Sequence, residues 1–543
     1  MNVRTIQLLT PDRPHDLSVA DADAILPLSE LLARRGFPLN TRCGGRGLCA
    51  GCEVEVRAGA LRSLSEDTPS PTGASGRVKA CQARLGAGPV TLGIPARSLQ
   101  NHEPAVVSEF RINVPWARDP LVPAARVGAA VDVGTTTVAL ILCDLTTGKV
   151  LAEASAFNAQ IRFGEDVLTR IQLCSIDPSA VLRLQQTVVD ETINPLLAEA
   201  CDRAGLAPAD VGAMTVAANT TMLHLLAGVD PTPMGVHPFR ATFLEHRQYA
   251  PRELGLRFGG DTAEVHLLPS PAAYVGADLA AGMVATGLLY DDGPALLVDV
   301  GTNGEIIAKV GDRLIGAATA AGPAFEGAGL TSGIRAVQGA IERVQVQAHP
   351  FAAEVGIIGG AAVPLGICGS AYIDFLWEAR RTGILQTTGR FTDAFCARAG
   401  DNVQRDTYGR KLRLHPRGAS GPIWISEVDV ARLLQAKAAI AAGMVTLLSL
   451  LGVAPRDVKT LYLAGGFGLH LSLEHAIGCG LLPGLAVNQI QMVGNTSLGG
   501  AFLALQDRGL LDEMIAASTT MEAIELNLQP GFENAYIDNL ALP

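Results

Sequence analysis

Basic runs are missing from this sequence, and charge of either sign is sparse. Charged residues make up 17% of the 543 residues, hydrophobic residues make up 48%, and the net charge is −11. Because no cluster of lysine and arginine offers a surface to a polyanion, we expect neither nucleic acid nor a membrane as a partner. The apolar content excludes a disordered chain. The length predicts roughly three or four domains.

Signals for export and for membrane insertion are also missing. The first residues lack the apolar core of a signal peptide. An uncharged and largely apolar run at 438–454 has 17 residues and includes polar Thr446 and Ser449. It is at the short limit for a membrane span, and the capping box at Ser426 and Asp429 precedes it. These features predict a buried core helix.

Cysteine is scarce over most of the chain. Ten cysteines in 543 residues do not form a disulfide scaffold. Six of them are scattered singly among apolar or small residues, and we expect small buried core side chains there: Cys143, Cys174, Cys201, Cys368, Cys396 and Cys479. Reduced thiols predict a cytoplasmic protein.

The remaining four cysteines are grouped. Cys43, Cys49 and Cys52 have the spacing C-x5-C-x2-C in a glycine-rich loop, and Cys81 follows. Four converging thiolates are what an iron–sulfur cluster needs, and glycines let the backbone wrap around it. A zinc site and a disulfide pair are the alternatives, but zinc ribbons use two C-x2-4-C knuckles and only one C-x2-C occurs here. The spacing resembles the adrenodoxin-like [2Fe–2S] ferredoxins.

The order of elements around these cysteines agrees with that resemblance. The pattern predicts strands at 3–9, 52–59 and 90–95 and a helix at 26–35. This order matches the β-grasp ferredoxin fold, so residues 1–97 are predicted to be a [2Fe–2S] ferredoxin-like domain. Four prolines in 98–126 predict a linker that lets this domain move.

From residue 127 onward, apolar strands alternate with amphipathic helices, and two segments are repeated. Residues 131–138 (VDVGTTTV) are echoed at 298–305 (VDVGTNGE), and 215–222 (TVAANTTM) at 461–468 (LYLAGGFG). Both pairs occur in the same order. We therefore predict two copies of one α/β unit, at 127–295 and 296–543.

A strand that runs into Asp-x-Gly-Thr suits phosphate binding. The glycine permits a tight turn, the following N–H and hydroxyl groups act as phosphate donors, and the aspartate holds Mg²⁺ or orients a water. The glycine-rich turn after the later strand lets a nucleotide approach the backbone. The segment 494–501 adds a small-residue packing point near the same crevice.

This arrangement resembles the acetate and sugar kinase, heat-shock-protein and actin (ASKHA) superfamily, in which two ribonuclease-H-like domains close on ATP. The resemblance implies a role for Asp132 and Asp299 in catalysis, and Glu305 as a support for Mg²⁺ or water. Lys437 is expected either to reach the nucleotide or to be a surface lysine. The implied nucleotide-binding residues are Gly134, Thr135, Thr136, Thr137, Gly301, Thr302, Asn303, Gly304, Gly465, Gly466 and Gly468.

A ferredoxin joined to such an ATPase resembles the reductive activators of corrinoid proteins. Further stretches that fit this family are 163–171, 219–224, 274–278, 322–327 and 366–371. The resemblance implies ATP-dependent reduction of Co(II) to Co(I), with a [2Fe–2S] cluster, ATP and Mg²⁺. It implies a corrinoid methyltransferase or corrinoid protein as partner (methionine synthase is one candidate), a low-potential electron donor, and a homodimer. Ser370 and the loop 322–333 are candidates for the cobalt-facing surface.

The coupling to ATP has a thermodynamic reason. Ferredoxins of the plant type lie near about −400 mV, and reducing Co(II) is uphill from there. Each 59 mV of a one-electron step corresponds to about 1.4 kcal/mol, so ATP binding and hydrolysis can close a gap of a few hundred millivolts. Three other readings remain: an electron donor to a 2-hydroxyacyl-CoA dehydratase, a small-molecule kinase with a fused ferredoxin, and a non-enzymatic redox and nucleotide sensor.

Overall fold

The computed structural model describes residues 3–10, 13–39, 41, 45, 47, 51–64, 76–95, 98–99, 109–301, 303–361, 363–419, 421–466 and 471–543. Three large sheets organise this part of the chain, one of five strands and two of six. Each large sheet has its own cluster of buried apolar side chains.

The N-terminal unit is a mixed five-stranded sheet with one α-helix packed on it. The strand order is β2-β1-β7-β3-β5, with β1 parallel to β7 and antiparallel to β2. The bounds are β1 Val3–Leu9, β2 Pro14–Ala20, α1 Leu28–Arg34, β3 Glu53–Ala58, β4 Leu61–Ser63, β5 Gly76–Lys79, β6 Ala83–Leu85 and β7 Val90–Gly93.

The three predicted strands of this unit are confirmed, but the predicted helix starts two residues too early. Leu26 is extended, with φ −66° and ψ 153°. It precedes Pro27, whose ring disfavours the helical conformation of the residue before it. The α-helix therefore begins at Leu28, and Leu28, Leu31 and Leu32 are buried in the core of the unit.

The two six-stranded sheets confirm the predicted duplication. The first contains β8 Val127–Val133, β9 Thr137–Asp144, β10 Val150–Phe157, β11 Val211–Ala217, β12 Arg247–Tyr249 and β13 Glu264–Leu267. The second contains β14 Ala295–Val300, β15 Gly304–Val310, β16 Arg313–Thr319, β23 Thr460–Ala464, β24 Ile490–Gly494 and β25 Glu522–Ala523. In both sheets the first four strands in chain order lie in the spatial order third, second, first, fourth, and a parallel strand, β13 or β24, lies next to the fourth.

Helices and smaller sheets complete the two halves. The first half contains α2 Val167–Ile176, α3 Ala180–Val188, α4 Asn194–Ala204, α5 Thr220–Leu226 and α6 Ala277–Thr286. Between β16 and β23 the second half inserts β17 Ala340–Gln347, β18 Ala352–Ile357, β19 Gly366–Ile367, α7 Gly369–Arg381, α8 Asp393–Ala399, β20 Val403–Asp406, β21 Gly409–Gly418, β22 Gly421–Ser426 and α9 Glu427–Leu450. It then adds α10 Leu473–Gly478, α11 Thr496–Gln506, α12 Arg508–Thr520 and α13 Phe532–Asp538.

Two helices cross closely where the halves meet. α11 packs against α6, and a Cβ on Gly500 would collide with the backbone of Ala281. A Cβ on Gly282 would lie 2.9 Å from Thr496 Oγ1. Glycine at both positions lets the helices approach, and the predicted packing point at 494–501 is confirmed.

The later part of the predicted linker is fastened to the larger unit. Arg111 N donates to Val493 O at 3.1 Å, and Asn113 N donates to Ala285 O at 3.1 Å. The Trp116 ring lies edge-on to Phe502, with 6.2 Å between centroids. Residues 109–126 therefore follow the surface of the two halves.

The long helix α9 is apolar and long enough to cross a membrane by length and composition. In the described part of the chain it is the one helix that meets this test, and 78% of its apolar window is buried within the protein. Ser426 caps its N-terminus, accepting from Asp429 N. The prediction of a buried core helix is confirmed.

Candidate functional site

The repeated hairpin turns face each other across a cleft between the two halves. Asp132 lies at the end of β8 and Asp299 at the end of β14, each just before its turn. A cavity of about 240 Å³ separates the turns. Of the predicted site residues, those that line it are Asp132, Gly134, Thr135, Thr136, Thr137, Asp299, Gly301, Asn303, Gly465 and Gly466, together with Glu305.

Asp132 is held in a fixed orientation by the N-terminus of α11. Its Oδ2 accepts from Asn495 Nδ2 at 2.9 Å, and its Oδ1 accepts from Ser497 Oγ at 2.8 Å. Removal from water raises the pKa of Asp132, and these two hydrogen bonds act against the rise. Both partners lie in the segment that the sequence marked only as a packing point, so their role was missed.

Asp299 lies against the backbone of the glycine-rich turn. Gly465 has φ +90°, and a Cβ there would lie 2.7 Å from Asp299 Oδ1 and 2.9 Å from Val300 O. Glycine is therefore required by both conformation and space. Burial, with a smaller contribution from the charge of Asp132, raises the pKa of Asp299 to about 7.

Two more carboxyl groups lie in the same cleft. Burial raises the pKa of Asp278, at the start of α6, to about 7, and the charges of Asp299 and Asp132 add to the rise. Burial also raises the pKa of Glu305, followed by the charges of Asp278 and Asp299. Asp278 lies in the stretch 274–278, which was noted as a match to the family but received no site role, because it has no counterpart in the repeat.

These carboxyl groups fit a metal ion that is shared with a phosphate ligand. No three histidine, cysteine, aspartate or glutamate side chains converge to hold a metal by themselves, as far as the described residues extend. Mg²⁺ characteristically takes one or two carboxylates, with substrate phosphates and water as its other ligands. The cleft has the donor set for that arrangement.

The first turn is tied to both halves. Asn219, which caps α5, donates from Nδ2 to Thr135 Oγ1 at 2.9 Å. Thr136 Oγ1 donates to Glu326 Oε2 of the second half at 3.4 Å. In the second turn, Gly301 N donates to Asn303 O at 3.0 Å. The predicted residues Thr302 and Gly468 lie outside the described residues.

Two predicted nucleotide-binding residues do not lie at the cleft. Lys437 is 1% exposed, and its Nζ donates to Ala541 O at 2.8 Å. It is neither a surface lysine nor part of the cavity lining, because its position on α9 faces the interior. Gly304 is buried behind its turn, where a Cβ would lie 2.7 Å from both Ile440 Cγ1 and Thr319 Oγ1.

The described half of the predicted cluster site brings two thiols together. Cys52 and Cys81 are buried, and a hydrogen bond from Cys52 is the largest cause that lowers the pKa of Cys81 to about 6. A thiolate at neutral pH suits a metal ligand. Cys43 and Cys49 lie outside the described residues. Of the six scattered cysteines, five are buried as predicted and Cys396 is half-buried.

The loop around these thiols is fastened from one side. Lys79 Nζ donates to Gly47 O and Gln82 Nε2 donates to Gly45 O, both at 2.6 Å. Both glycines have positive φ, +74° and +78°, respectively. The two bonds therefore anchor the backbone at Gly45 and Gly47.

The thiol loop also lies close to the two halves. Thr41 Oγ1 donates to Arg162 O at 3.4 Å. Gly51 lines a cavity of about 1110 Å³ together with Glu165 and residues of 320–333. Next to this cavity, Arg335 of the second half contacts two residues of the first. Its Nη2 lies 3.4 Å from Glu165 Oε1, and its guanidinium lies 5.1 Å from the centroid of the Phe157 ring.

Family models match most of the chain from residue 127 onward. A model described as the RACo middle region matches residues 127–291. A model described as the C-terminal domain of RACo, the ASKHA domain, matches residues 293–543.

Individual relatives agree with these matches. The chain is 32% identical over 429 residues to the corrinoid activation enzyme RamQ of Eubacterium limosum, covering 76% of this chain and 70% of that one. It is 29% identical over 300 residues to the [Co(II) methylated amine-specific corrinoid protein] reductase of Methanosarcina barkeri, covering 51% of each chain. A solved structure of a reductive activator for corrinoid,iron-sulfur protein superposes with a TM-score of 0.70 at 28% identity, covering 99% of this chain and 98% of that one.

Proposed function

The chain belongs to the family of reductive activators of corrinoid proteins, and from this premise we propose that it uses Mg-ATP to drive one electron from a [2Fe–2S] cluster onto Co(II) of a corrinoid protein, giving Co(I). The observation that carries the proposal is the cleft in which two Asp-x-Gly turns face each other, with the thiol loop beside the same two halves. The ASKHA fold supports a nucleotide site, and the two converging thiols support a cluster.

The two turns would hold the polyphosphate of ATP from opposite sides. N–H and hydroxyl groups at 134–137, together with N–H groups at 301 and 303, would act as donors to phosphate oxygens. Asp132, fixed by Asn495 and Ser497, and Asp299, which packs against Gly465, would hold Mg²⁺ or orient the attacking water. Gly465 and Gly466 allow the nucleotide to approach the backbone.

The N-terminal unit would be the ferredoxin domain. Cys43, Cys49, Cys52 and Cys81 would hold the cluster, which supplies a single electron when bound. An external low-potential donor has to refill it. Residues 45 and 47 supply the turns that bring the loop around the thiols.

ATP can favour Co(I) only through a difference in affinity between two states of the protein. The contacts between the halves give those states a structural basis. Thr136 in the first turn contacts Glu326, which lies 3.9 Å from Arg335 Nε, and Arg335 in turn contacts Glu165. Nucleotide bound at Thr136 would therefore affect the surface that borders the thiol loop and the large cavity.

Cobalt spectroscopy tests the whole proposal. The reconstituted protein is mixed with a Co(II) corrinoid methyltransferase and a low-potential reductant, and the Co(I) absorbance is followed with and without Mg-ATP. We expect Co(I) only with Mg-ATP in the wild-type protein. Cys49→Ala and Asp299→Ala should both abolish it, while Asp312→Asn, at an exposed position of the same half, should leave it unchanged.

Other outcomes assign other functions. No Co(I) with several corrinoid clients, despite an intact cluster and bound ATP, would contradict the activator and favour a dehydratase donor or a sensor. If the same amount of Co(I) formed without nucleotide, the reduction would not depend on ATP. The homodimer, the cytoplasmic location and methionine synthase as a client remain proposals of the same kind.

A further inference from the structure

Three successive carbonyl groups of the first turn are held by buried groups behind it. Asn158 Nδ2 donates to Gly134 O at 2.9 Å, and Asn158 N donates to Thr136 O at 2.9 Å. Between them, Arg170 Nη2 donates to Thr135 O. Asn158 and Arg170 are both 0% exposed, and neither lines the cleft.

Holding these carbonyls fixes the direction of the following N–H groups. In a trans peptide the C=O of one residue and the N–H of the next point in opposite directions. The cis bonds found in the described chain lie elsewhere, before Pro238 and Pro350. The N–H groups of Thr135 and Thr136 must therefore point away from Asn158 and Arg170, toward the cleft that both threonines line.

Arg170 carries a charge that the protein leaves largely uncompensated by direct contact. Its other acceptors are Gly164 O at 2.9 Å, Gln160 Oε1 at 2.9 Å and Met222 Sδ at 3.0 Å, and none is a carboxylate. Burial lowers the pKa of Arg170 to about 9, and the charges of Asp166 and Glu165 act against this fall, so the guanidinium is still protonated at neutral pH. These two carboxylates offset part of the cost of burying the cation, but neither accepts one of the hydrogen bonds named above.

The cleft in front of the turn supplies a reason for this charge. Four carboxyl groups line it, Asp132, Asp278, Asp299 and Glu305, and each of them repels a polyphosphate whenever it is ionised. A cation behind the turn offsets part of that repulsion without occupying space in the cleft. The cation reaches the turn through its hydrogen bond to the Thr135 carbonyl, which the same bond orients.

We propose that Arg170 is the positioning residue of the first phosphate turn: it holds the Thr135 carbonyl so that the Thr136 N–H donates to the polyphosphate of a bound nucleoside triphosphate. This inference rests on the proposed nucleotide site and assigns it a residue that contacts no nucleotide. Arg170 therefore sets affinity for the phosphates and leaves the affinity for the nucleoside unchanged. Asn158 holds the two neighbouring carbonyls in the same way.

Binding calorimetry on the full chain separates these effects. Mg-ATP and adenosine are titrated into the wild type, Arg170→Gln and Arg170→Lys. A hydrogen bond to a charged group is worth enough that Arg170→Gln should bind Mg-ATP about tenfold more weakly or worse. Adenosine affinity should stay within about twofold, and Arg170→Lys, which keeps the charge, should recover part of the Mg-ATP affinity.

A matched control removes the same charge from the surface of the same half. Arg203 on α4 has a side chain that is 56% exposed and pairs with Glu199. Arg203→Gln should bind both ligands as the wild type does. If folded Arg170→Gln bound Mg-ATP as tightly as the wild type, the role of Arg170 would be refuted while the nucleotide site would stand. The same holds if Arg170→Gln lost adenosine affinity by the same factor as Mg-ATP affinity. A wild-type protein that binds no Mg-ATP would overturn the nucleotide site itself.

The wild-type protein gives the answer if the Arg170 variants do not fold. In protein labelled with ¹⁵N-threonine, the Thr136 amide is identified by its loss in Thr136→Ser. It should shift downfield on addition of Mg-ATP and stay in place with adenosine. A Thr136 amide that does not respond to saturating Mg-ATP overturns the inference.

Discussion

Replacing Gly465 by alanine tests the geometry of the cleft with a single methyl group. The added Cβ would lie 2.7 Å from Asp299 Oδ1 and 2.9 Å from Val300 O, at φ +90°. Both distances are too short for a Cβ contact, so Asp299 or the turn must move. The substitution removes no charge and no hydrogen-bonding side chain.

Two costs contribute, and a second glycine separates them. An L-residue in left-handed backbone costs about 1–2 kcal/mol. Gly452 at the end of α9 has φ +71° and no atom within 4 Å of an added Cβ, so Gly452→Ala bears this backbone cost alone. Gly465→Ala bears the displacement of Asp299 as well. We expect its Mg-ATP affinity to fall at least about tenfold, which is about 1.4 kcal/mol.

Calorimetry with Mg-ATP and thermal unfolding of both variants make the comparison. Both should unfold at lower temperature than the wild type, and only Gly465→Ala should lose nucleotide affinity. If Gly465→Ala bound Mg-ATP as tightly as Gly452→Ala, Asp299 would not be held by this turn, and its assignment to the metal or to water would fail.

Three further results are expected. Native Asp299 and Asp278 keep their protons to about pH 7, whereas the unfolded chain releases them near pH 4. The unfolding free energy of the nucleotide-free protein should therefore fall as pH rises from 4 to 7 and then level off. Denaturant titrations across this range should show a smaller dependence of the unfolding free energy on pH in Asp299→Asn, and an unchanged dependence would refute the raised pKa. Cys81→Ser should lose the visible absorption of the reconstituted cluster, whereas the half-buried Cys396→Ser should keep it; a retained spectrum in Cys81→Ser would rule out that ligand. Lys437→Met should bind Mg-ATP within about twofold of wild type but unfold at lower temperature, because Ala541 O loses its buried donor. A large loss of Mg-ATP affinity would show that Lys437 does contribute to nucleotide binding.

The two halves and the cleft were predictable because they rest on repeated patterns. In both copies an apolar strand that ends in Asp-x-Gly continues into a hairpin, and the duplication places the two aspartates opposite each other. The position of Asp132 and Asp299 in the structure follows from that logic. The sequence cannot show which side of a long apolar helix faces the interior, and so Lys437 was misplaced.

The supports of the site were not predictable for a different reason. Asn495 and Ser497 reach Asp132 across 363 and 365 residues of chain. Arg170 reaches the first turn from a helix with no equivalent in the repeat. Such contacts depend on the three-dimensional crossing of α6, α11 and the turns, which no local pattern encodes. Only the short spacing around the cysteines signalled a site by itself.

The attachment of residues 109–126 limits how far the N-terminal unit can lie from the two halves. Glu109 O accepts the backbone N–H of Asn495, whose side chain holds Asp132, at 3.1 Å, and Leu99 forms a bridge with Leu39 inside the unit. Ten Cα-to-Cα steps (109 − 99 = 10) join these points, and they span at most about 35 Å when fully stretched. Under the proposed function, the N-terminal unit is therefore tethered to the wall of the cleft, and a corrinoid partner would have to bring its cobalt within reach of that tether.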